Sequence, residues 1–423
     1  MDNRELLLHS FHAAVAAADP LKMLPQHLPA PPSGRTLVVG AGKAAASMAR
    51  ALEQHWPTGA PLEGLVITRY RHGLPTGRIT VVEAGHPVPD EAGEKATRQI
   101  LRMARNLEPG DLLLALVSGG GSALLSLPVD GISLEDLKTT TRELLRCGAP
   151  IREINTVRKH LSAILGGRLA AACKAEVLAL VISDVTGDDP AHIASGPCAP
   201  DPTTYADALD ILRRFNIQAP KTVCEHLERG ARGEIPETPK PGDRAFGRVG
   251  NRIIATAQQS LRAASDFFHA HGIPAVILGD SVTGEASEVA KVYAALVRQI
   301  VRHGDPHGRP VALLSGGECT VTVRGAGRGG RCSEFLLSLA IELDGLPDVC
   351  ALACDTDGID GSEDNAGAVL LPDSLVRATA LGLDAQTLLA NNDSYGFFSR
   401  IGDLVVTGPT RTNVNDFRAI LIR

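Results

Sequence analysis

Short apolar runs alternate with longer helical stretches along the first half of the chain. The runs are rich in leucine and β-branched residues and occupy residues 36–39, 64–68, 79–83, 111–118 and 177–183. The stretches between them carry helical patterns. This alternation is typical of a doubly wound parallel sheet, in which ligands bind at the carboxyl ends of the strands.

The second half repeats the pattern less regularly. Apolar runs at residues 275–278, 311–314, 351–354 and 404–407 predict strands, and residues 318–323 have hairpin character. Residues 234–250 are rich in proline, glycine and charge, which indicates a linker. We therefore predict an α/β chain with a larger Rossmann-like three-layer domain built on a parallel sheet (1–240) and a smaller mixed α/β domain (241–423). The N-terminus predicts an amphipathic helix that ends near Asp19.

Composition narrows the functional classes. The chain has 423 residues, more than one hydrophobic core usually serves. Its net charge of −6 and its 3% aromatic content argue against a nucleic-acid or anionic membrane surface. The apolar runs are too short to span a bilayer, so we expect a soluble, cytoplasmic enzyme. Eight cysteines without a CxxC pair indicate reduced thiols and no zinc site.

Two glycine loops follow predicted strands. The first contains Gly40, Gly42 and Lys43, and the second contains Ser118, Gly119, Gly120, Gly121 and Ser122. Glycine permits close backbone approach, and the helix after each loop offers amides to an anion. We predict phosphate binding at both loops. The alternatives are a solvated lysine at the first loop and a tight packing turn at the second.

The first loop also satisfies the dinucleotide fingerprint G-x-G-x-x-A. That interpretation requires an acidic residue after the next strand. Here the next strand runs into Arg69, Tyr70, Arg71 and His72. A nicotinamide-dependent reductase is therefore the weaker alternative.

Carboxylates crowd after the predicted strand at residues 177–183. Asp184, Asp188 and Asp189 repel one another unless a cation offsets them, and Mg²⁺ with a nucleotide would do so. The alternative is a solvated loop with Asp189 as a helix cap.

The second half carries glycines with arginines and a second group of carboxylates. Gly316, Gly317 and Glu318 follow one strand, and Arg328 and Arg331 lie among glycines, an arrangement that suits phosphate. A surface hairpin with solvated arginines is the alternative. Asp355 and Asp357 follow the strand at 351–354 and predict a magnesium or hydroxyl site, with an Asx-turn loop as the alternative. Residues 406–416 could order a loop or contact a substrate.

Nine ordered segments together resemble the class II glycerate 2-kinase family. They are GAGKAA, EAGHPVPDEAG, LVSGGGSALL, INTVRKHLSAILGGRLA, ISDVTGDDPAHIASGP, LLSGGECTV, GRGGR, DTDGIDG and TGPTRTNVND. The resemblance covers nearly the whole chain. The family's C-terminal part is the MOFRL domain, about residues 310–417 here, and its members often carry the name hydroxypyruvate reductase.

The resemblance implies ATP-dependent phosphorylation of D-glycerate at its 2-hydroxyl, giving 2-phospho-D-glycerate and ADP. It also implies Mg²⁺ and an active site in the cleft between a larger and a smaller domain. The family's cleft lysine would be Lys43 and its glycine-rich arginine Arg331. Two departures are Cys332-Ser333, where the family commonly has Asn-Gln, and Arg411 in place of glycine.

We therefore predict three groups of site residues. Lys43 and Arg331 would balance charge on the transferring group, with Asp184 and Asp188 as further catalytic candidates. ATP would be bound by Gly40, Gly42, Ser118, Gly119, Gly120, Gly121, Ser122, Gly316, Gly317, Glu318 and Arg328. Mg²⁺ would be bound by Asp189, Asp355 and Asp357. The sequence does not divide the base and metal roles among the carboxylates. It also leaves open a hydroxypyruvate reductase, a noncatalytic binding module and a homodimer.

Overall fold

A computed structural model describes all 423 residues. The chain forms two units: one is Pro20–Ile254, and the other combines Met1–Asp19 with Ala255–Arg423. The strands are β1 (Thr36–Ala41), β2 (Leu62–Arg69), β3 (Ile79–Ala84), β4 (Leu112–Val117), β5 (Glu176–Ile182), β6 (Val249–Ala255), β7 (Ala275–Glu285), β8 (Val311–Thr320), β9 (Val349–Asp355), β10 (Gly367–Leu370), β11 (Leu404–Val405) and β12 (Asp416–Ile422).

Sixteen α-helices accompany these strands. They are α1 (Asn3–Ala17), α2 (Pro20–Met23), α3 (Ala45–His55), α4 (Glu91–Arg105), α5 (Gly121–Leu124), α6 (Leu134–Arg146), α7 (Ile151–His160), α8 (Arg168–Ala172), α9 (Tyr205–Arg214), α10 (Lys221–Ala231), α11 (Ala257–Ala270), α12 (Ala286–His303), α13 (Arg331–Leu343), α14 (Ser374–Ala380), α15 (Ala385–Ala390) and α16 (Ser394–Ile401). None of the helices combines the length and the apolar character that crossing a lipid bilayer requires.

The unit Pro20–Ile254 is built on a six-stranded sheet. Its strand order is β3-β2-β1-β4-β5-β6, the order of doubly wound nucleotide-binding sheets. The pairs β2–β3, β1–β2, β1–β4 and β4–β5 are all parallel. Every residue of β1 and β4 is buried, as expected for strands covered on both faces. The parallel sheet predicted from the apolar runs is confirmed.

The other unit contains a mixed sheet of order β11-β10-β9-β12-β8-β7. Its β7 and β8 are parallel, whereas β12 is antiparallel to both β8 and β9. The first helix, α1, buries Leu7 and Phe11 in one apolar cluster with Leu261 and Phe268 of α11. The N-terminal helix therefore contributes to the hydrophobic core of the unit that contains Ala255–Arg423.

Several details differ from the sequence predictions. Residues 318–323 do not form a hairpin, because β8 continues through Thr320 beside β7. The strand predicted at 404–407 is only Leu404–Val405. The first sheet extends past residue 240, since β6 at Val249–Ala255 joins its edge. The division 1–240 and 241–423 thus differs from the two units, and the assignment of functional domains stays a prediction.

Candidate active site

The two glycine loops of the sheet meet where its winding reverses. They follow β1 and β4, which are neighbours in the sheet although distant in the chain. A Cβ atom at Gly40 would lie 1.9 Å from the Leu116 carbonyl oxygen, and one at Gly42 would lie 2.0 Å from Ser118 Oγ. Both glycines also have positive φ. Only glycine therefore allows the two loops to pack backbone against backbone.

The amides of the first loop donate within the protein. Gly42 N donates to Ile67 O at 3.1 Å, Lys43 N to Gly119 O at 2.8 Å, and Ala44 N to Ser118 Oγ at 3.1 Å. These three amides are consequently engaged, one by strand β2 and two by the second glycine loop. The geometry of Gly40 and Gly42 favours a packing turn over the predicted phosphate cradle.

The second loop keeps donors available. The backbone N–H groups of Gly119 and Gly120 donate to no acceptor of the protein. A Cβ at Gly120 would lie 2.9 Å from His86 Nε2 and 3.6 Å from Lys43 Cγ, so an imidazole and a lysine side chain border this glycine. Because buried amides are rarely left without an acceptor, the loop is suited to an anion.

Two further contacts join the second glycine loop to the loop after β5. Ser122 Oγ lies 2.8 Å from Ser195 Oγ, and a Cβ at Gly121 would meet the Ala194 methyl at 2.5 Å. The loop after β5 therefore reaches the second glycine loop, as the sheet topology predicts. His86 and Ser195 were not predicted as site residues, although both lie in segments quoted for the family resemblance.

The three aspartates after β5 lie in different environments. Asp184 and Asp188 are half-buried, whereas Asp189 is exposed. Asp189 Oδ1 accepts a hydrogen bond from Ala191 N at 2.9 Å, the local capping role weighed as an alternative. The catalytic roles of Asp184 and Asp188 stay predictions.

In the other unit, Arg331 lies at the first position of α13 and is held by two carboxylates. Its Nη2 donates to Asp355 Oδ2 at 2.6 Å, and its Nε donates to Asp416 Oδ1 at 2.7 Å. Glu318 is farther away, 3.7 Å from Nη2. The remaining nitrogen, Nη1, donates to no group of the protein. The guanidinium is therefore fixed on one edge and open on the other.

The charge of Arg331 is secured by these partners. Burial alone would lower the pKa of the guanidinium, but Asp416 and Asp355 outweigh it and hold the pKa well above its usual value. Asp416 was absent from the predicted site residues. It is the last residue of the polar segment 406–416, which was predicted to order a loop or to contact a substrate.

The start of α13 is capped from a distant loop. Asp360 accepts hydrogen bonds from Cys332 N at 3.0 Å and from Ser333 N at 2.8 Å. Ser333 Oγ also donates to Asp360 Oδ2 at 2.6 Å. The carboxylate thus satisfies amides that a helix N-terminus leaves open. Cys332-Ser333, a departure from the family pattern, serves this cap.

Other predicted ligands have different surroundings. Gly316 and Gly317 lie inside β8 and not in a loop, and a Cβ at Gly317 would come within 2.3 Å of the Val282 backbone. Arg328 is exposed, pairs with Glu363 and lies over the ring of Tyr395 at 4.4 Å. For Arg328 the surface alternative describes the structure better than a nucleotide ligand does.

The predicted magnesium ligands do not form a ready site. No three His, Cys, Asp or Glu side chains lie together as a metal set. Asp355 binds Arg331, and Asp357 Oδ1 accepts from Ile359 N at 2.8 Å. Asp189 belongs to the other unit. A role of these three aspartates in metal binding stays a prediction.

Comparison with known proteins gives two family matches. A family described as a domain of unknown function (DUF4147) matches residues 6–228, and the MOFRL family matches residues 311–416. The glycerate 2-kinase of Pyrococcus horikoshii is 40% identical over 98% of this chain and 96% of its own. A relative from Agrobacterium vitis that carries a hydroxypyruvate reductase name is 50% identical over 99% of this chain and 94% of its own.

A solved structure agrees with these matches. The crystal structure of the glycerate kinase of Thermotoga maritima superposes with a TM-score of 0.86 at 38% identity and covers 99% of each chain. Both the sequence relatives and the structural neighbour thus span almost the full length. The chain belongs to the class II glycerate 2-kinase family.

Proposed function

We propose that this chain phosphorylates D-glycerate at its 2-hydroxyl with ATP, giving 2-phospho-D-glycerate and ADP. The observation that carries the proposal is the full-length similarity to a glycerate 2-kinase, 40% identical over 98% of this chain. Two anion-compatible places in the fold support it. These are the second glycine loop with Lys43 and the open edge of Arg331.

Phosphoryl transfer needs positioning and charge stabilisation more than covalent chemistry. In the proposed mechanism, the free amides of Gly119 and Gly120 bind phosphate oxygens, and Lys43 beside Gly120 offsets their charge. We propose that Nη1 of Arg331 binds an anionic group of a substrate, while Asp355 and Asp416 keep the guanidinium plane fixed. We propose Asp184 or Asp188 as the acceptor of the hydroxyl proton.

Magnesium enters this proposal only as a partner of the nucleotide. Mg²⁺ is commonly bound through one or two carboxylates together with substrate phosphates, so it does not require a complete protein site. The absence of a three-carboxylate set agrees with that mode. A dependence of turnover on Mg²⁺ is tested by chelation with EDTA and restoration with added metal.

The main experiment measures ADP formation with D-glycerate, ATP and Mg²⁺ by purified protein and by Lys43→Ala. We expect kcat/KM to fall about 100- to 1,000-fold in the variant, the range for losing one preorganised electrostatic group. Lys174→Ala is the matched control, since Lys174 is exposed and pairs with Glu108 on the surface. Equal activity of Lys43→Ala and wild type would contradict the proposed role of Lys43.

The reductase alternative is tested in the same preparation. The strand order and the spacing of Gly40 and Gly42 favour it, but β2 ends at Arg69 and no acid follows within the next residues. Hydroxypyruvate is offered with NADH and with NADPH. Nicotinamide oxidation without glycerate-dependent ADP formation would replace the kinase proposal with the reductase.

A further inference from the structure

Arg158 is a buried cation in a segment to which no function has been assigned. It lies on α7, within INTVRKHLS, and is only 9% exposed. Burying a guanidinium is costly unless an anion compensates it. The groups around Arg158 therefore indicate whether its charge is compensated within the protein or by a ligand.

The structure gives Arg158 very little compensation. Its one hydrogen bond runs from Nη1 to Asn155 Oδ1 at 3.4 Å, and it forms no salt bridge with any carboxylate. Asn155 is itself held, because its Nδ2 donates to His192 O at 3.3 Å. Burial alone lowers the pKa of Arg158 to about 10.

Other buried cations of the chain have carboxylate partners. Lys159, the next residue, lies 3.2 Å from Asp201, and both side chains are fully buried. Arg418 is likewise paired with Asp416. Both of these cations thus pair with a carboxylate of the chain. Arg158 has no carboxylate partner, so an anionic ligand could compensate its charge.

Arg158 lines a small cavity that adjoins the second glycine loop. Ser122 and Ser126 line it too, no other charged residue does, and its volume is about 10 Å³. This space admits about one water-sized group, such as a single carboxylate oxygen. One positive charge among serine and apolar groups matches a monoanion better than a phosphate, which carries more charge.

We infer that Arg158, oriented by Asn155, binds the carboxylate of the acid substrate and makes the enzyme select sugar acids over uncharged polyols. The inference rests on the proposed kinase function, for which D-glycerate supplies the carboxylate. A guanidinium binds a carboxylate by charge-assisted hydrogen bonds. Arg158 is a substrate-binding residue in this assignment and takes no part in proton transfer.

The test compares Arg158→Met and Arg158→Lys with wild type, and Arg213→Met is the control on the exposed surface of α9. We expect Arg158→Met to raise KM for D-glycerate at least about 50-fold, the size of a lost charge-assisted contact. The KM for ATP stays within twofold. Arg158→Lys keeps the charge without the planar fork and gives an intermediate KM.

The preference for D-glycerate over glycerol provides a second test. A purely structural role of Arg158 would leave this preference unchanged. Activity with glycerol, which lacks the carboxylate, is measured beside activity with D-glycerate. The preference of wild type for D-glycerate collapses in Arg158→Met, since only the acid loses a contact. An unchanged preference in Arg158→Met, or a KM for D-glycerate within twofold of wild type, overturns the inference.

Thermal unfolding separates this inference from the proposed function. Without ligand, Arg158→Met melts at or above the wild-type temperature, because removing an uncompensated buried charge costs nothing. D-Glycerate raises the melting temperature of wild type and not of Arg158→Met, whereas chloride and inorganic phosphate at equal ionic strength shift both alike. A D-glycerate shift shared by both proteins overturns the inference. If D-glycerate stabilises wild type and not Arg158→Met, but wild type forms no ADP, only the kinase proposal is overturned.

Discussion

Arg331 Nε donates a hydrogen bond to Asp416 Oδ1 across 2.7 Å, although the two residues are 85 positions apart. The other oxygen of Asp416 accepts from Arg418, which is itself almost fully buried. Asp416 therefore bridges two arginines, Arg331 of the candidate site and the buried Arg418. The orientation of Arg331 depends on this link.

Replacing Arg331 should destabilise the unit as well as reduce turnover. In Arg331→Met, the buried carboxylates Asp355 and Asp416 both lose the guanidinium that pairs with them, so buried negative charge loses compensation. We expect the free energy of unfolding to fall by about 3–5 kcal/mol, measured by urea denaturation. Arg328→Met is the control, since its pair with Glu363 is on the surface. A loss under about 1 kcal/mol in Arg331→Met would contradict the network.

Gly42→Ala should disturb the packing of the two glycine loops. The added methyl would lie 2.0 Å from Ser118 Oγ, at a φ of +142°. We expect a loss of about 1–3 kcal/mol from backbone strain, with more from the collision. Gly59→Ala is the matched control, since nothing lies within 4 Å of its Cβ. Urea unfolding of both variants measures the difference, and equal stabilities would contradict the close approach.

The cap of α13 predicts a pH dependence. Burial raises the pKa of Asp360 above its usual 3.8, against the opposing hydrogen bonds from Ser333 and Cys332. The folded state therefore holds this proton more tightly than the unfolded chain. Stability from this group is greatest below about pH 4 and is lost as pH rises through the raised pKa.

Asp360→Asn removes the titration and places an amide against the donors of Ser333. We expect it to be less stable than wild type by about 1–3 kcal/mol at pH 7, with the gap widening on acidification. Urea unfolding between pH 4 and pH 7 measures this, with the exposed Asp130→Asn as the control. A gap that narrows at low pH would refute the assignment.

The division into two units predicts how fragments behave. Fragment 20–254 contains all of its six-stranded sheet except Ala255, the last residue of β6, so we expect cooperative thermal unfolding by circular dichroism. Fragment 255–423 lacks α1 and exposes the surface that Leu7 and Phe11 cover. Losing one such buried aromatic side chain costs roughly 3–5 kcal/mol. We expect this fragment to bind hydrophobic dyes and to recover when residues 1–19 are fused to it. Cooperative folding without them would contradict the unit.

Local signals were sufficient for much of the fold. The strands at residues 36–39, 64–68, 79–83 and 177–183 were predicted within a few residues, because a buried parallel strand is a continuous apolar run. The meeting of the loops after β1 and β4 followed from the sheet topology. The core strand β12 was missed, since it directly follows a polar segment and pairs only with distant strands.

The sequence by itself determined the α/β class, the two glycine loops after β1 and β4, and the candidate cations Lys43 and Arg331. The class follows from the order of apolar runs along the chain, and the loops and cations follow from a few consecutive residues each. Tertiary structure alone decided which amides stay free at Gly119 and Gly120, which carboxylates hold Arg331, and that Arg158 is buried without one. Those facts depend on partners brought together from distant parts of the chain, and no local pattern encodes the desolvation that makes an unpaired charge costly.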